Sequence, residues 1–132
     1  MTGAISSPSK PAPRVAVVDD DPYGRAALSS LLRACGIYAV MFDCGRALLA
    51  RKLSFACVVS DIQMPGMTGL ELARELKLRD SQLPIVLLTA FPEEQGWREA
   101  KEIGVDLYIE KPFFTDELLA FLRTLIPDLG PG

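Results

Sequence analysis

Apolar positions in this chain fall in short β-rich runs, each followed by a longer stretch with helical spacing. Arg14-Val15-Ala16-Val17-Val18, Phe55-Ala56-Cys57-Val58-Val59-Ser60, Pro84-Ile85-Val86-Leu87-Leu88 and Asp106-Leu107-Tyr108-Ile109-Glu110 are near-continuous apolar runs, the pattern of strands buried on both faces. From Arg14 onward the alternation gives five βα units, which predicts an α/β domain whose parallel sheet is covered by helices on both sides.

The helix signals agree. Asp21 can cap a first helix with Pro22 at its first position; Leu28, Leu31, Leu32 and Cys35 then share a face, and Gly36 suits the stop. A second, short helix is expected over about Gly45 to Leu53. Thr68-Gly69-Leu70-Glu71 fits a capping box for a third, with Leu72, Ala73 and Leu76 inward. The fourth, about Pro92 to Ile103, is mostly polar, contains Gly96, and has only Trp97, Ala100 and Ile103 as an apolar stripe, so it should be the least firmly held. Thr115, Asp116 and Glu117 open a fifth, with negative charge at its positive end. Residues 1–13, rich in Ser, Pro and small residues, read as a flexible tail; 14–126 form one domain; 127–132 read as a C-terminal tail.

Four of the strands run into residues suited to phosphate or metal: Asp19-Asp20-Asp21, Asp61, Thr89 and Lys111. Parallel strands place their C-terminal ends on one edge, where open α/β sheets bind ligands. Asp19, Asp20 and Asp61 would therefore crowd like charges together, a costly arrangement unless cations intervene. Lys111 supplies one positive charge, and the remainder calls for a hard divalent ion such as Mg²⁺, which takes few carboxylates and keeps several waters. After Asp61, the run Ile62 to Gly69 is broken by Pro65 and Gly66 into a sharp loop. A carboxylate so placed can attack phosphorus and form an aspartyl phosphate, with metal and lysine neutralising the transferring group. The Thr89 hydroxyl can donate to a phosphoryl oxygen.

Composition narrows the field. The 132 residues are 49% hydrophobic and 23% charged, with a formal net charge of -3. This is ordinary globular usage and a poor footprint for nucleic acid. No apolar run approaches a membrane span, and no signal peptide is evident, so a cytoplasmic location is expected. The chain has no histidine, which removes His-based triads and His metal ligands and means that any phosphohistidine must come from a partner. Cys35, Cys44 and Cys57 lack metal-ligand spacing and read as reduced, small apolar residues.

Val17-Val18-Asp19-Asp20-Asp21-Pro22, Ser60-Asp61-Ile62-Gln63-Met64-Pro65-Gly66-Met67-Thr68-Gly69, Leu88-Thr89-Ala90 and Lys111-Pro112-Phe113 together resemble the receiver domain of two-component response regulators, over about Arg14 to Ile126. The resemblance implies a flavodoxin-like five-stranded sheet of order 2-1-3-4-5. It implies Asp61 as phospho-acceptor, Asp20 as direct Mg²⁺ ligand, Asp19 as its partner acting partly through water, and Gln63 as a backbone-carbonyl ligand. Thr89 becomes the switch hydroxyl and Tyr108 the switch aromatic. The implied partners are a histidine kinase or histidine phosphotransfer protein. The output surface would be the fourth helix, fifth strand and fifth helix, where a partner or a second copy docks, with no direct nucleic-acid or membrane contact. Such a chain is a signalling phospho-acceptor that assists its own phosphorylation and dephosphorylation rather than an enzyme. Gln63 and Phe91 border the path of an attacking water and are expected to tune the lifetime of the phosphorylated form.

Three other readings fit parts of the pattern. An adaptor that keeps the fold without handling phosphate is opposed by the full set of site residues. A Mg²⁺-dependent aspartyl phosphatase resembles this site but usually has a second acid where Gln63 stands. A flavodoxin-like electron carrier needs a phosphate-cradling loop after the first strand, where Asp19 to Asp21 would repel the phosphate. The end of the chain, soon after its last helix, suits both a stand-alone receiver and a piece of a longer regulator.

Overall fold

The computed structural model describes residues 14–111 and 115–126. The proposed tails, Pro112-Phe113 of the last motif and the Thr115 side chain lie outside what is described. The element order is β1 (Arg14–Val18), α1 (Pro22–Ala34), β2 (Tyr38–Phe42), α2 (Gly45–Leu49), β3 (Cys57–Asp61), α3 (Gly69–Arg79), β4 (Ile85–Thr89), α4 (Glu94–Ile103), β5 (Leu107–Glu110) and α5 (Thr115–Leu125). All strand pairs are parallel, in the order β2-β1-β3-β4-β5, as expected.

The alternation of side chains along each strand builds two cores from one sheet. Val15, Val17, Cys57, Val59, Val86 and Leu88 face α1 and α5, meeting Leu28, Leu32, Leu118 and Leu122. Ala16, Val18, Val58, Ile85 and Leu87 face the other way, onto Leu48 of α2, Leu72, Ala73 and Leu76 of α3, and Ala100 of α4. Burial on both faces is why β3 and β4 read as unbroken apolar runs. Cys57 is one such core residue; burial pushes its thiol up to about 12, so it stays an unreactive, protonated group. All three cysteines are free.

The caps follow the local sequence. Asp21 Oδ1 accepts from Tyr23 N at 3.1 Å and opens α1. In α3 both halves of the capping box form: Glu71 N donates to Thr68 Oγ1 at 3.2 Å and Thr68 N to Glu71 Oε1 at 2.9 Å. Helix α2 is shorter than its apolar spacing suggested, ending at Leu49 rather than Leu53. The Arg79 guanidinium takes the Leu49 carbonyl at 2.9 Å, so a tertiary contact satisfies the helix end and frees 51–56 to cross to β3. Helix α4 starts at Glu94, two residues later than Pro92, because Glu93 is extended and offers no side-chain cap. Only Ala100 of α4 is buried, in keeping with its sparse apolar stripe.

Candidate functional site

The sheet order makes β1, β3, β4 and β5 consecutive, so their C-terminal ends bring Asp19, Asp61, Thr89 and Lys111 to one edge. The main chain fixes these ends tightly. Asp19 N donates to Phe42 O (3.1 Å), Ile62 N to Leu88 O (2.9 Å) and Lys111 N to Thr89 O (2.7 Å).

Asp19, Asp20 and Asp61 each present a carboxylate oxygen within 4.8 Å of the others. Asp19 and Asp61 are buried, whereas Asp20 is exposed at the mouth. One Asp19 oxygen, Oδ1, accepts from Asp21 N at 2.9 Å. The Asp19 carbonyl takes the Arg25 guanidinium at 2.7 Å, which ties the loop to α1. The set is all oxygen and all anionic, the donor chemistry of a hard divalent cation.

Asp61 is buried beside a single cation. Lys111 Nζ stands 3.3 Å from its Oδ1, close enough for an ion pair. Yet that oxygen is shut from solvent and receives no aligned hydrogen bond among the described residues. Burial raises the Asp61 pKa above the usual carboxylate value; the Lys111 charge opposes this, and Asp19 adds to it. A buried carboxylate with one oxygen lacking an aligned donor fits an added cation, and the three-carboxylate set fits Mg²⁺.

Thr89 is wholly buried at the end of β4. Gln63 Nε2 donates to its Oγ1 at 3.0 Å, the hydroxyl donates to Gln63 Oε1 at 3.2 Å, and Phe91 N donates to the same Oγ1 at 3.0 Å. Tyr108 pairs with Leu87 on β5 and packs half-buried on the core that includes Ala100 of α4. By strand alternation Thr89 shares the sheet face of Leu87, and hence of Tyr108. Phe91 is 68% exposed just beyond Thr89. The structure thus gathers the expected residues at one edge, with Tyr108 on the flank toward α4.

Two glycines were not anticipated as site residues. A Cβ on Gly24, in the first turn of α1, would lie 2.7 Å from Asp19 Oδ2, so this glycine makes room for the buried carboxylate. A Cβ on Gly69 would collide with the Asp61 carbonyl oxygen; its absence lets α3 begin against the backbone of β3. The local signal was present only as a glycine in a helix's first turn. Its reason is the close approach of the preceding strand end, which helical spacing does not reveal.

Residues 15–123 match the response regulator receiver domain family. The transcriptional regulatory protein FixJ of Bradyrhizobium diazoefficiens is 37% identical over 118 residues, covering 88% of this chain and 58% of that protein. The response regulator protein TrrA of Thermotoga maritima, solved in complex with Mg²⁺ and beryllofluoride, superposes with a TM-score of 0.78 at 31% identity, covering 86% of this chain and 98% of that one. The chemotaxis protein CheY4 of Vibrio cholerae gives 0.79 at 28% identity, covering 87% and 99%. The chain spans about half the length of FixJ and 24% of the length of the transcriptional regulators DctD and NtrC. No described helix is long and apolar enough to cross a membrane. With its sheet order, its acidic edge and this sequence match, the chain belongs to the receiver-domain family of two-component response regulators.

Proposed function

We propose that Asp61 is the phospho-acceptor of this receiver and that Mg²⁺ is held by Asp19, Asp20, Asp61 and the Gln63 backbone carbonyl. The observation that carries this reading is the meeting of three carboxylates within 4.8 Å beside the Lys111 ammonium. A carboxylate oxygen of Asp61 attacks the phosphorus of a phosphohistidine on a histidine kinase or histidine phosphotransfer protein. The new O–P bond forms as the P–N bond breaks, and the imidazole leaves with the electron pair. Bound Mg²⁺ would supply charge neutralisation for the phosphoryl oxygens. Lys111, already 3.3 Å from Asp61, offers a second positive charge to the same group. Gln63 occupies the place where a phosphatase would need an acid, and its amide cannot donate a proton to a leaving group.

Once Asp61 is phosphorylated, Thr89 turns its hydroxyl to the phosphoryl group and Tyr108 follows on the same sheet face. The α4-β5-α5 surface is the output, for a partner or a second copy of the chain, with Trp97 of α4 47% exposed there. The receiver works in the cytoplasm and itself contacts neither nucleic acid nor membrane. Gln63 and Phe91 set the lifetime by bordering the approach of water. Labelling by acetyl phosphate tests the reading: it should need Mg²⁺ and vanish in Asp61→Asn, and Mg²⁺-independent or undiminished labelling would sink it. Phe91→Ala should then hasten decay of the labelled form by about two- to fivefold, since a shielding ring excludes water from the acyl phosphate; an unchanged decay curve would remove Phe91 from this role.

A further inference from the structure

The Thr89 hydroxyl has one proton and two acceptor sites, and all are in use. Its proton goes to Gln63 Oε1 (3.2 Å), and its lone pairs take Gln63 Nε2 (3.0 Å) and Phe91 N (3.0 Å). Gln63 Oε1 also accepts from Ala90 N at 3.4 Å. One amide therefore grips both the hydroxyl and the first peptide of the β4–α4 loop. Thr89 itself is paired into β4, with its carbonyl taking Lys111 N at 2.7 Å, so the strand holds its backbone and only the side chain and following loop can rearrange. A single proton cannot serve Gln63 and a phosphoryl oxygen on Asp61 at once.

We propose that the Gln63 side chain is a latch that holds Thr89 and the β4–α4 loop in the resting arrangement, and so sets how readily the phosphoryl group switches the domain. This rests on the phospho-acceptor reading of Asp61. Gln63 acts through Thr89 and is a positioning residue. Its carboxamide competes with the phosphoryl group for the hydroxyl; the phosphoryl wins because a hydrogen bond to an anion is stronger than one to a neutral amide. Gln63→Leu keeps the bulk and removes the competitor. The Thr89 proton is then unsatisfied only in the resting form, and that cost shifts the population toward the activated one.

The experiment is a beryllofluoride titration with saturating Mg²⁺, run on wild type, Gln63→Leu, Thr89→Ala and the double variant. Gln63→Leu should bind beryllofluoride about three- to tenfold more tightly, the worth of one neutral hydrogen bond. In the Thr89→Ala background the gain should fall below about twofold, because the latch has nothing left to hold. The Gln63 side-chain amide resonances of the wild-type protein should move on saturation, a readout that needs no variant. Unchanged or weaker binding by Gln63→Leu, an equal gain without Thr89, or stationary Gln63 amide resonances would each overturn the latch while leaving Asp61 as acceptor. Failure of wild type to bind beryllofluoride at all would overturn the acceptor reading and the latch with it. Gln63→Ala serves if the leucine variant does not fold; its side-chain site is exposed.

Discussion

The two ends of the sheet each hold a lysine–aspartate pair at nearly the same distance, and they serve opposite purposes. At the N-terminal ends of β4 and β5, Lys77 Nζ is 3.2 Å from Asp106 Oδ2, which also accepts from Ile85 N at 2.8 Å. Lys77 donates further to the Leu83 carbonyl at 2.7 Å and reaches the Ser81 carbonyl at 3.4 Å. Both charged groups are hydrogen-bonded, and the pair staples α3 to the loop before β4 and the start of β5. At the C-terminal ends, Lys111 and Asp61 lie 3.3 Å apart, but Asp61 Oδ1 has no aligned donor and is crowded by Asp19 and Asp20. A satisfied pair secures the fold; an unsatisfied one keeps free energy available for a ligand.

The largest separation should come from Asp61→Asn. Phosphoryl labelling should fall to background, because an amide is no nucleophile toward phosphorus, while the Mg²⁺-free protein should melt at a higher temperature than wild type, because a buried like-charge contact has gone. A lower melting temperature would show that Asp61 supports the fold after all. Next, Lys77→Ala should cost about 1–2 kcal/mol, read as a fall of roughly 3–8 °C in Tm, with labelling per folded molecule retained. The value is modest because water reaches Asp106, whose side chain is 37% exposed. Lys111→Met should do the reverse, cutting labelling by at least about tenfold with a smaller change in Tm. Equal effects at the two lysines would erase the contrast drawn between the two ends.

Acidity sharpens the same comparison. Asp61 has its pKa raised by burial. Between its ordinary and raised values the folded chain therefore binds more protons than the unfolded one, and its contribution to stability falls as pH climbs through that window. The Tm advantage of Asp61→Asn over wild type should accordingly widen as pH rises from about 4 and level off above the raised value. Saturating Mg²⁺ should narrow it. A pH-independent difference would contradict the burial account. The smallest effect is expected for Gly24→Ala. The added methyl displaces the Asp19 carboxylate and should weaken Mg²⁺ about two- to fivefold, although alanine favours the helix by up to about 1 kcal/mol. Mg²⁺ affinity equal to wild type by titration would show that the contact is absorbed by side-chain rotation.

The sequence alone determined the βα alternation, the two-faced burial of the strands, the caps at Asp21 and Thr68, and the residue types at each strand end. These are readable because side-chain period and cap chemistry are local, and because parallel strands must present their C-terminal ends on one edge. Tertiary structure decided the rest. It stopped α2 at Leu49 through an arginine from α3, placed Gly24 and Gly69 where a carboxylate and a carbonyl come close, left Asp61 Oδ1 beside Lys111 with no aligned hydrogen bond, and closed Gln63 onto Thr89 across 26 residues of chain. Each depends on distances set by how helices and loops seat on the sheet, between partners near in sequence (Gly24 with Asp19, Gly69 with Asp61) as well as far (Arg79 with Leu49, Gln63 with Thr89). No local periodicity or propensity encodes such a distance.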